Sequence, residues 1–504
     1  MVGYHTGMQG AEDRLYGRSG TQQLDRMATE EGNLAEGELM ERAGAAAFQV
    51  LSGRWPKTTS LLVVCGPGNN GGDGYVIGRL AHEVGLNSQI VSLASPVTDD
   101  ALQAHAKAQK AGVQITQYSG EELPATNLVV DCILGTGLSR SPTGDTEKLI
   151  RAVNRLKQPV IAVDIPSGLE ADSGATPGSV IQAVLTVTFI GLKLGLYTGR
   201  GPDVCGEIVY DGLSVPQSVH QEVPPLAQLI SATMVRSSLP ARRKTMHKGE
   251  SGHLLIVGGE AGMSGAVHLA GEAALRSGAG LVTVATRNAH AAAISSTRPE
   301  LMCHGVEDAG DIEGVLEGKD CIVIGPGLGT GDWGRMLLSR VLDSGLNVVL
   351  DADGLNLIAE GQNPVPQGIL TPHPGEAGRL LGCETLAVQT QRHLSACRIQ
   401  DLYKGICILK GPGTLVARDG GELWLCNRGN PGMATAGMGD VLSGVIGGLL
   451  AQGLSRESAA RSGVWLHSAA ADLAAVEAGE RGLLASDLAP WLRRLANNPL
   501  CADE

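Results

Sequence analysis

The chain of 504 residues is too long for one ordinary domain, and its length predicts two or three domains. Hydrophobic residues make up 43% of the chain, which is enough for buried cores, and its 71 glycines follow no fixed repeat. The formal net charge of -13 argues against a nucleic-acid-binding surface, and ten dispersed cysteines without a C-x-x-C pair argue against a zinc site.

The amino-terminal residues lack the apolar core of a signal peptide, and no uninterrupted apolar stretch is long enough to span a bilayer. A cytoplasmic protein without a membrane partner is therefore expected. Residues 21–51 carry apolar side chains at helical spacing and are predicted to be helical. The first predicted strand, Ser60–Cys65, runs into the glycine-rich loop GPGNNGGDGY at residues 66–75, and a helix is predicted over residues 76–84.

The glycines of this first loop resemble a dinucleotide-binding fingerprint, because Gly66, Gly68 and Gly71 match the pattern G-x-G-x-x-G. That match is a weak signal. A nicotinamide-binding Rossmann domain also needs an acid at the end of the next strand, about 20 residues further on. The next predicted strand, residues 88–93, ends without an acid, so a standard redox Rossmann domain loses support.

Two later strands of the first half each end close to an acid. Residues 127–135 contain Asp131 before a second glycine loop, and residues 159–168 contain Asp164 before Pro-Ser-Gly. Ligands bind at the carboxyl ends of the strands in open parallel sheets, where these loops would meet. Either acid alone could be a helix N-cap, but three polar loops with the same placement predict a site.

Three oxygen-bearing side chains on different loops, Asn70, Asp131 and Ser167, are of the type that hard cations prefer. Their single formal charge suits a monovalent ion as well as Mg²⁺, so these residue types do not identify which ion would bind. A strand at residues 184–189 and an edge strand near residues 206–210 complete the first half. The predicted division is a first domain at 1–225, a connector at 226–243 and a second domain at 244–504.

The second half repeats the alternation of strand, polar turn and helix, which predicts another layered parallel sheet. Strands are predicted at residues 253–257, 280–285, 320–324, 346–350, 369–371 and 405–409, with a helix at 267–276 and a hairpin at 414–418 and 421–426. Asp351 and Asp353 follow one of these strands as possible turn acids and receive no role.

The stretch 427–450, NRGNPGMATAGMGDVLSGVIGGLL, combines a glycine loop with an apolar run that reads as a buried helix from residue 441. Such a helix start offers N–H groups to an anion. Asp440 beside it suits a general base that takes a proton from a hydroxyl attacking phosphorus. The alternative is that Asp440 is simply a helix N-cap.

No G-x-x-x-x-G-K-[ST] phosphate loop occurs in the chain, so a nucleoside phosphate would need another cradle. The run Lys410-Gly411-Pro412-Gly413-Thr414 is a candidate, with Lys410 as a point charge or as an ordinary surface lysine. His373, fixed between two prolines, is either a ligand contact or a loop histidine.

With these motifs in view, the chain resembles the bifunctional NAD(P)H-hydrate repair enzymes over nearly its whole length. GPGNNGGDGY, DCILGTGL and VDIPSG resemble the NAD(P)HX epimerase domain, which implies a Rossmann-like αβα fold. LTPHPGEA, LKGPGT and NRGNPGMATAGMGDVLSG resemble the ADP-dependent (S)-NAD(P)HX dehydratase, which implies a ribokinase-like αβα fold.

For the first domain, the resemblance implies interconversion of the R and S hydrates at C6 of the damaged nicotinamide ring. Asp164 would be the acid or base and would contact the substrate. Asn70, Asp131 and Ser167 would bind K⁺. The other residues implied to hold the hydrate form two loops: Asn69, Asn70, Gly71, Gly72 and Asp73, and Gly135, Thr136, Gly137, Leu138, Ser139, Arg140 and Ser141.

For the second domain, the resemblance implies phosphorylation of the C6 hydroxyl by ADP, followed by loss of phosphate to restore NAD(P)H. Asp440 would be the base. Residues implied to face the S hydrate are Ala266, Gly327, His373 and Asp440, and those implied to face the adenine nucleotide are Lys410, Gly411, Pro412, Gly413, Thr414 and Gly439.

The implied cofactors are K⁺ in the epimerase domain and Mg²⁺ with ADP in the dehydratase domain. NADHX, NADPHX and ADP would be the small-molecule partners, and a homo-oligomer is expected. Two alternatives compete. One is a vitamin or sugar kinase of the same superfamily fused to a nucleotide-binding domain, and the other is a non-catalytic nucleotide-binding or partner protein, at least for the amino-terminal domain. The first would use ATP and leave a stable phosphorylated product.

Overall fold

The computed structural model of the chain describes residues 13–32, 34–138, 140–239, 241–361 and 364–502. The chain divides into two compact units, Met1–Gln228 and Leu229–Glu504. Strands and helices alternate in both, as the sequence predicts. No helix among these described residues is long and apolar enough to cross a lipid bilayer.

The described part of the first unit begins with a short strand and two helices and continues with alternating strands and helices. Its described strands are β1 (Arg14–Tyr16), β2 (Ser60–Cys65), β3 (Asn87–Ser92), β4 (Gln114–Gln117), β5 (Leu128–Cys132), β6 (Val160–Val163), β7 (Leu185–Phe189), β8 (Leu192–Lys193), β9 (Glu207–Asp211) and β10 (Ala227–Leu229). Its described helices are α1 (Arg18–Glu31), α2 (Glu38–Arg54), α3 (Asn69–Glu83), α4 (Asp99–Lys110), α5 (Gly144–Arg155), α6 (Leu194–Tyr197), α7 (Gly201–Val204) and α8 (Gln217–Glu222).

A seven-stranded parallel sheet in the order β4-β3-β2-β5-β6-β7-β9 forms the centre of the first unit. Strand β2 pairs with β3 on one side and β5 on the other, so the direction of winding reverses between β2 and β5. Leu61 and Val63 of β2 enter the core that contains α2 and α3, and Leu62 and Val64 enter the core that contains α5. Helices cover both faces, which confirms the predicted three-layer αβα architecture.

Helix α3 starts earlier than predicted, because the glycine-rich segment is itself helical from Asn69 onward. Its glycines allow close packing: a Cβ on Gly71 would lie 1.9 Å from the carbonyl oxygen of Gly66, and one on Gly74 would lie 2.6 Å from Sγ of Cys65. The prediction of a loop up to residue 75 is therefore wrong. These glycines seat the first turns of the helix against β2, rather than giving a flexible loop.

The second unit contains nine parallel and antiparallel strands and twelve α-helices among its described residues. The strands are β11 (His253–Val257), β12 (Leu281–Thr286), β13 (Leu301–Gly305), β14 (Cys321–Ile324), β15 (Asn347–Leu350), β16 (Gly368–Leu370), β17 (Ile406–Leu409), β18 (Thr414–Ala417) and β19 (Leu423–Cys426). The helices are α9 (Ala232–Ser238), α10 (Ser264–Ser277), α11 (Asn288–Thr297), α12 (Ala309–Leu316), α13 (Asp332–Asp343), α14 (Ala352–Gly361), α15 (Pro374–Leu381), α16 (Thr385–Thr390), α17 (Arg392–Tyr403), α18 (Met438–Ala451), α19 (Arg456–Ala478) and α20 (Leu488–Asn497).

The sheet of the second unit runs β13-β12-β11-β14-β15-β16-β17-β18-β19, parallel as far as β17. The predicted hairpin is confirmed, since β18 pairs antiparallel with β19 from Thr414 opposite Cys426. Leu254 and Ile256 of β11 join a core with α10, α18 and α19, while α13 and α17 contact the strands as well. The second unit is thus also a layered α/β domain.

Helices α10 and α18 pack closely along their lengths, because Gly444 has no side chain at their crossing. A Cβ on Gly444 would lie 2.1 Å from the carbonyl oxygen of Ala270. Helix α18 begins at Met438, three residues before the predicted start of the buried run, and its N-cap is Gly437 with a φ of 89°. Asp440 therefore lies within the first turn of α18 and is not its N-cap residue.

Candidate active sites

In the first unit, three polar segments meet at the carboxyl edge of the parallel sheet. They follow β2, β5 and β6, which are adjacent strands around the point where the winding reverses. Parallel strands carry the segments that follow them to one edge, so residues distant in sequence become neighbours there. The convergence of these loops, predicted from their strand-end placement, is confirmed.

Asp131 and Ser167 form the buried centre of this edge. The hydroxyl of Ser167 donates to Oδ1 of Asp131 over 2.6 Å, and the N–H of Ser167 donates to Oδ2 over 2.8 Å. The N–H of Ile133 also donates to Oδ1, over 3.2 Å. Burial raises the pKa of Asp131 to about 6, although these hydrogen bonds oppose the rise. A nearby positive charge would favour the ionised carboxylate.

Asn70 brings the first turn of α3 to the same place. Its Nδ2 donates over 3.0 Å to the carbonyl oxygen of Leu134, which also accepts from the Ser167 hydroxyl over 3.1 Å. The side-chain oxygen of Asn70, in contrast, is buried and has no hydrogen-bond partner among the described residues. A buried amide oxygen without a donor is costly unless a ligand or ion satisfies it.

Asp164 lies next to Lys193, a residue that was not predicted to have a role. Asp164 has a φ of 68°, in the left-handed region that residues with a Cβ rarely adopt. The ammonium of Lys193 is fully buried and donates to the Asp164 carboxylate, to Oγ1 of Thr188 over 2.9 Å and to the carbonyl of Phe189 over 3.0 Å. A lone lysine within the apolar run FIGLKLGLY was the signal that could have identified it.

Other predicted residues of the first unit lie around this pair in different ways. A Cβ on Gly135 would lie 3.3 Å from Cβ of Asn70 and 3.9 Å from Oδ2 of Asp164, so these three residues are neighbours. Burial, followed by the charge of Asp164, raises the pKa of Asp73 well above its ordinary range. The distances place Gly135, Asn70 and Asp164 around one position, and Asp73 is close enough for the charge of Asp164 to affect its pKa.

The remaining predicted residues are less central. Gly71 and Gly72 are buried, and a Cβ on Gly72 would lie 2.4 Å from the Met40 side chain, so these glycines pack against protein atoms. The Ser141 hydroxyl donates to the carbonyl of Pro177 over 3.1 Å. Ser139 lies outside the described residues. Within the described part of the chain, no side-chain hydrogen bond or ion pair distinguishes the last group: Asn69, Thr136, Gly137, Leu138 and Arg140.

In the second unit, the candidate site lies at the start of α18. Burial raises the pKa of Asp440 to about 7; the charge of Asp351 adds to the rise and that of Lys410 opposes it. Near neutral pH this carboxyl group exchanges protons readily, which suits a general base. The first turn of α18 supplies N–H groups and the positive end of the helix dipole beside it.

Lys410 is held between carboxylates at the edge of the sheet. Its Nζ lies 2.8 Å from Oδ1 of Asp351 and 3.7 Å from Oε2 of Glu376, and Thr371 donates to the same Oδ1 over 2.8 Å. Burial on its own would lower the pKa of Lys410, but Asp351 and Glu376 outweigh burial and raise it. Lys410 is therefore a charged site residue and not an ordinary surface lysine.

Asp351, which was predicted only as a possible turn acid, is the buried partner of Lys410. Its side chain is 2% exposed, and although burial alone would raise its pKa, Lys410 holds the pKa below the ordinary value. Asp351, Thr371 and Lys410 directly follow β15, β16 and β17, which are neighbouring strands. An acid directly after an apolar strand was the available signal, as it was for Asp131 and Asp164.

Gly439 allows α18 to approach this ion pair. A Cβ on Gly439 would lie 3.3 Å from Nζ of Lys410 and 3.5 Å from Oδ2 of Asp351. Gly327, with a φ of 56°, lies against α10 in the same way, and a Cβ on it would be 3.3 Å from Cβ of Ala266. The structure thus brings Gly439 to Lys410, and Gly327 to Ala266.

His373 is the N-cap of α15. Its Nδ1 accepts from the N–H of Gly375 over 3.0 Å, and its own N–H donates to Oε2 of Glu376 over 2.7 Å. The side chain remains half exposed, and burial followed by the charge of Lys410 lowers its pKa. A neutral imidazole next to Glu376 and Lys410 could contact a ligand while it caps the helix.

Family models match most of the chain in two parts. Residues 36–195 match the model described as YjeF-related protein N-terminus, and residues 254–494 match the model described as NAD(P)H-hydrate dehydratase. The first match contains the cluster around Asp131 and Asp164, and the second contains Lys410, Asp351 and Asp440.

Two bacterial relatives that align with nine-tenths or more of the chain carry the same name. A protein of Coxiella burnetii named bifunctional NAD(P)H-hydrate repair enzyme Nnr is 47% identical over 96% of this chain and 99% of its own length. An Escherichia coli protein of the same name is 45% identical over 91% of this chain and 89% of its own. Among solved structures, the Streptococcus mutans protein SMU.573 is 28% identical with a TM-score of 0.50, covering 53% of this chain and 98% of that one.

The ion pair in the second unit predicts a clear effect on stability. Lys410→Met leaves the buried Asp351 carboxylate without its counter-charge, and we expect a loss of about 3 kcal/mol in the free energy of unfolding of this unit. Four of the five tryptophans lie in the second unit, so urea unfolding followed by tryptophan fluorescence measures it. Lys244→Met, at an exposed lysine, is the matched control. Equal losses in both variants would contradict the role of the pair.

Proposed function

Because this chain belongs to the bifunctional NAD(P)H-hydrate repair enzymes, we propose that its two units perform two successive reactions on hydrated nicotinamide nucleotides. The first unit interconverts the R and S hydrates of NADH and NADPH. The second unit dehydrates the S hydrate with ADP, yielding the reduced nucleotide, AMP and phosphate. The observation that carries the proposal is Asp440, with a pKa of about 7, in a helix start beside Lys410.

In the proposed dehydration, the carboxylate of Asp440 removes the proton from the C6 hydroxyl of the S hydrate. The C6 oxygen then attacks the terminal phosphorus of ADP, and AMP leaves. The C6–O bond next breaks with departure of phosphate, while C5 loses a proton and the C5=C6 double bond is restored. The N–H groups at the start of α18 and the ammonium of Lys410 support the negative charge on the transferred group.

In the proposed epimerisation, C6 carries both the hydroxyl and the ring nitrogen, so inversion requires one of these bonds to open and close again. Proton transfer to and from the substrate accompanies both steps. The carboxylate of Asp164 is the group placed to exchange that proton. The fully buried ammonium of Lys193 holds the carboxylate in place.

The residues of the first unit also fit a K⁺ ion. The buried side-chain oxygen of Asn70 has no hydrogen-bond partner among the described residues. The nearby oxygens of Asp131 and Ser167 would add one negatively charged and one neutral ligand. Such an ion would satisfy the amide oxygen and orient the first turn of α3. Among the described residues, no cluster of three or more histidine, cysteine or acidic side chains could hold a metal, so Mg²⁺ would arrive with the phosphates of ADP.

Asp440→Asn tests the dehydratase half. The amide cannot accept the proton, so NADH formation from the S hydrate and ADP should fall at least about a hundredfold, while exchange between R and S continues. In the wild type, the rate should fall as the pH drops below about 7, because Asp440 becomes protonated. NADH absorbance and released phosphate measure the reaction. Asp332→Asn, at an exposed acid of this unit, is the control.

Three results would contradict this assignment. Unchanged NADH formation in Asp440→Asn would remove the residue from the chemistry. A stable phosphorylated product without NADH would indicate a kinase. Loss of both reactions would indicate misfolding or dependence between the units.

Asp164→Ala tests the epimerase half. Removal of the carboxylate should slow the exchange of R and S hydrates about a hundredfold or more and leave turnover of pure S hydrate with ADP unchanged. Chromatographic separation of the two epimers over time measures the exchange. An exchange rate equal to that of the wild type would assign the proton transfer to another group.

Asn70→Ala tests the proposed ion site. Wild-type epimer exchange should be faster in K⁺ than in choline at equal ionic strength, and the variant should need about tenfold more K⁺ for half-maximal rate. A tenfold change in affinity corresponds to roughly the free energy of one hydrogen bond, which is the contribution expected of one ligand to the ion. Asn87→Ala, at an exposed asparagine of the same unit, serves as control. The same exchange rate in both salts for the wild type would rule out a K⁺ requirement.

A further inference from the structure

A buried arginine lies beneath the proposed nucleotide loop. Arg392 begins α17, and its side chain is among the largest fully buried ones in the described part of the chain. Burial lowers the pKa of its guanidinium to about 10, so the group remains charged at neutral pH. Burying such a charge is costly, which makes its place in the fold informative.

The guanidinium of Arg392 holds the loop from inside. Its Nη2 donates to the carbonyl oxygens of Leu409, Lys410 and Gly413 at 3.4, 3.3 and 3.4 Å. Gly411, with a φ of 126°, lets the chain bend around it, since a Cβ there would lie 3.0 Å from Nη1. The loop of residues 410–414 is therefore wrapped around one positive charge.

The direction of these carbonyls sets the direction of the amides. In a trans peptide the N–H points opposite to the carbonyl oxygen of the preceding residue. The Lys410 carbonyl points to Arg392, so the N–H of Gly411 points away from it. Among the described residues, no backbone acceptor is bonded to that N–H.

The charge balance at the site gives the guanidinium a second role. Lys410 is the cation at the edge of the sheet, but the carboxyl groups of Asp351, Glu376 and Asp440 surround it, and their charges all act on it. Its positive charge is thus largely offset before any nucleotide binds. A nucleoside diphosphate adds further negative charge, so positive potential beyond that of its Mg²⁺ ion and of the start of α18 would favour its binding.

We propose that Arg392 is a positioning residue for the adenine nucleotide: it fixes the loop so that the Gly411 N–H faces a phosphate group, and its buried charge favours that anion. This inference rests on the proposed use of ADP by the second unit. Arg392 does not touch the nucleotide or the reacting atoms, because it acts from the opposite side of the loop.

The test compares Arg392→Gln and Arg392→Lys with the wild type in the full chain. The glutamine variant loses the charge and the fork of donors, so the KM for ADP should rise about tenfold to a hundredfold, while the KM for the S hydrate changes little. The lysine variant keeps the positive charge but lacks the planar set of guanidinium donors. Its KM for ADP should lie between those of the wild type and the glutamine variant. Arg398→Gln, at an exposed arginine of the same helix, is the control.

The rate of exchange between R and S hydrates serves as an internal control, because it shows that the first unit of each variant is present and active. Thermal unfolding followed by tryptophan fluorescence reports on the second unit. If Arg392→Gln does not fold, Gly411→Ala replaces it, because the added methyl group presses on the guanidinium and should raise the KM for ADP as well.

The possible results distinguish a failure of the Arg392 role from a failure of the proposed use of ADP. A folded Arg392→Gln with a KM for ADP within twofold of the wild type would overturn the positioning role. So would a fall in kcat and stability with that KM unchanged, which is the result of a purely structural role. Absence of NADH formation by the wild type itself would instead overturn the proposed use of ADP.

Discussion

The chemistry of both units depends on one constraint, which is that neighbouring parallel strands end at the same edge of a sheet. In the first unit, β2, β5 and β6 bring Asn70, Asp131 and Asp164 together from distant parts of the chain. In the second, β15 and β17 place Asp351 and Lys410 2.8 Å apart, although 59 positions separate them. Without this parallel register, none of these side chains would meet.

Each edge then uses a lysine and an aspartate in the same way. Lys193 pairs with Asp164 in the first unit, and Lys410 pairs with Asp351 in the second. A buried pair fixes both side chains, because separating them would leave an uncompensated charge. In the second unit the proposed base is a further residue, Asp440, whose pKa rises to about 7 with burial and the charge of Asp351. Pairing and proton transfer are thus assigned to different carboxylates there.

Sequence patterns predicted the two layered α/β units and the convergence of the strand-end loops, since both follow from the alternation of elements. They placed the start of α3 too late, because the glycine-rich segment 66–75 suggested a loop, whereas Gly71 and Gly74 permit close helix packing. They assigned no role to Lys193, Asp351 or Arg392. Each of these owes its importance to a partner on another strand or loop, and no local pattern specifies such a partner.

We propose that one chain converts either hydrate into the reduced nucleotide by the action of two different sites. The most direct measurement uses purified R hydrate of NADH as sole substrate, with ADP, and follows NADH absorbance together with AMP and phosphate. Both sites acting in turn should give NADH, AMP and phosphate in equal amounts, after a lag in which the S hydrate forms. Formation of NADH without AMP would contradict the proposed use of ADP by the second unit. Formation of NADH no faster than spontaneous epimer exchange would contradict the proposed epimerase activity of the first unit.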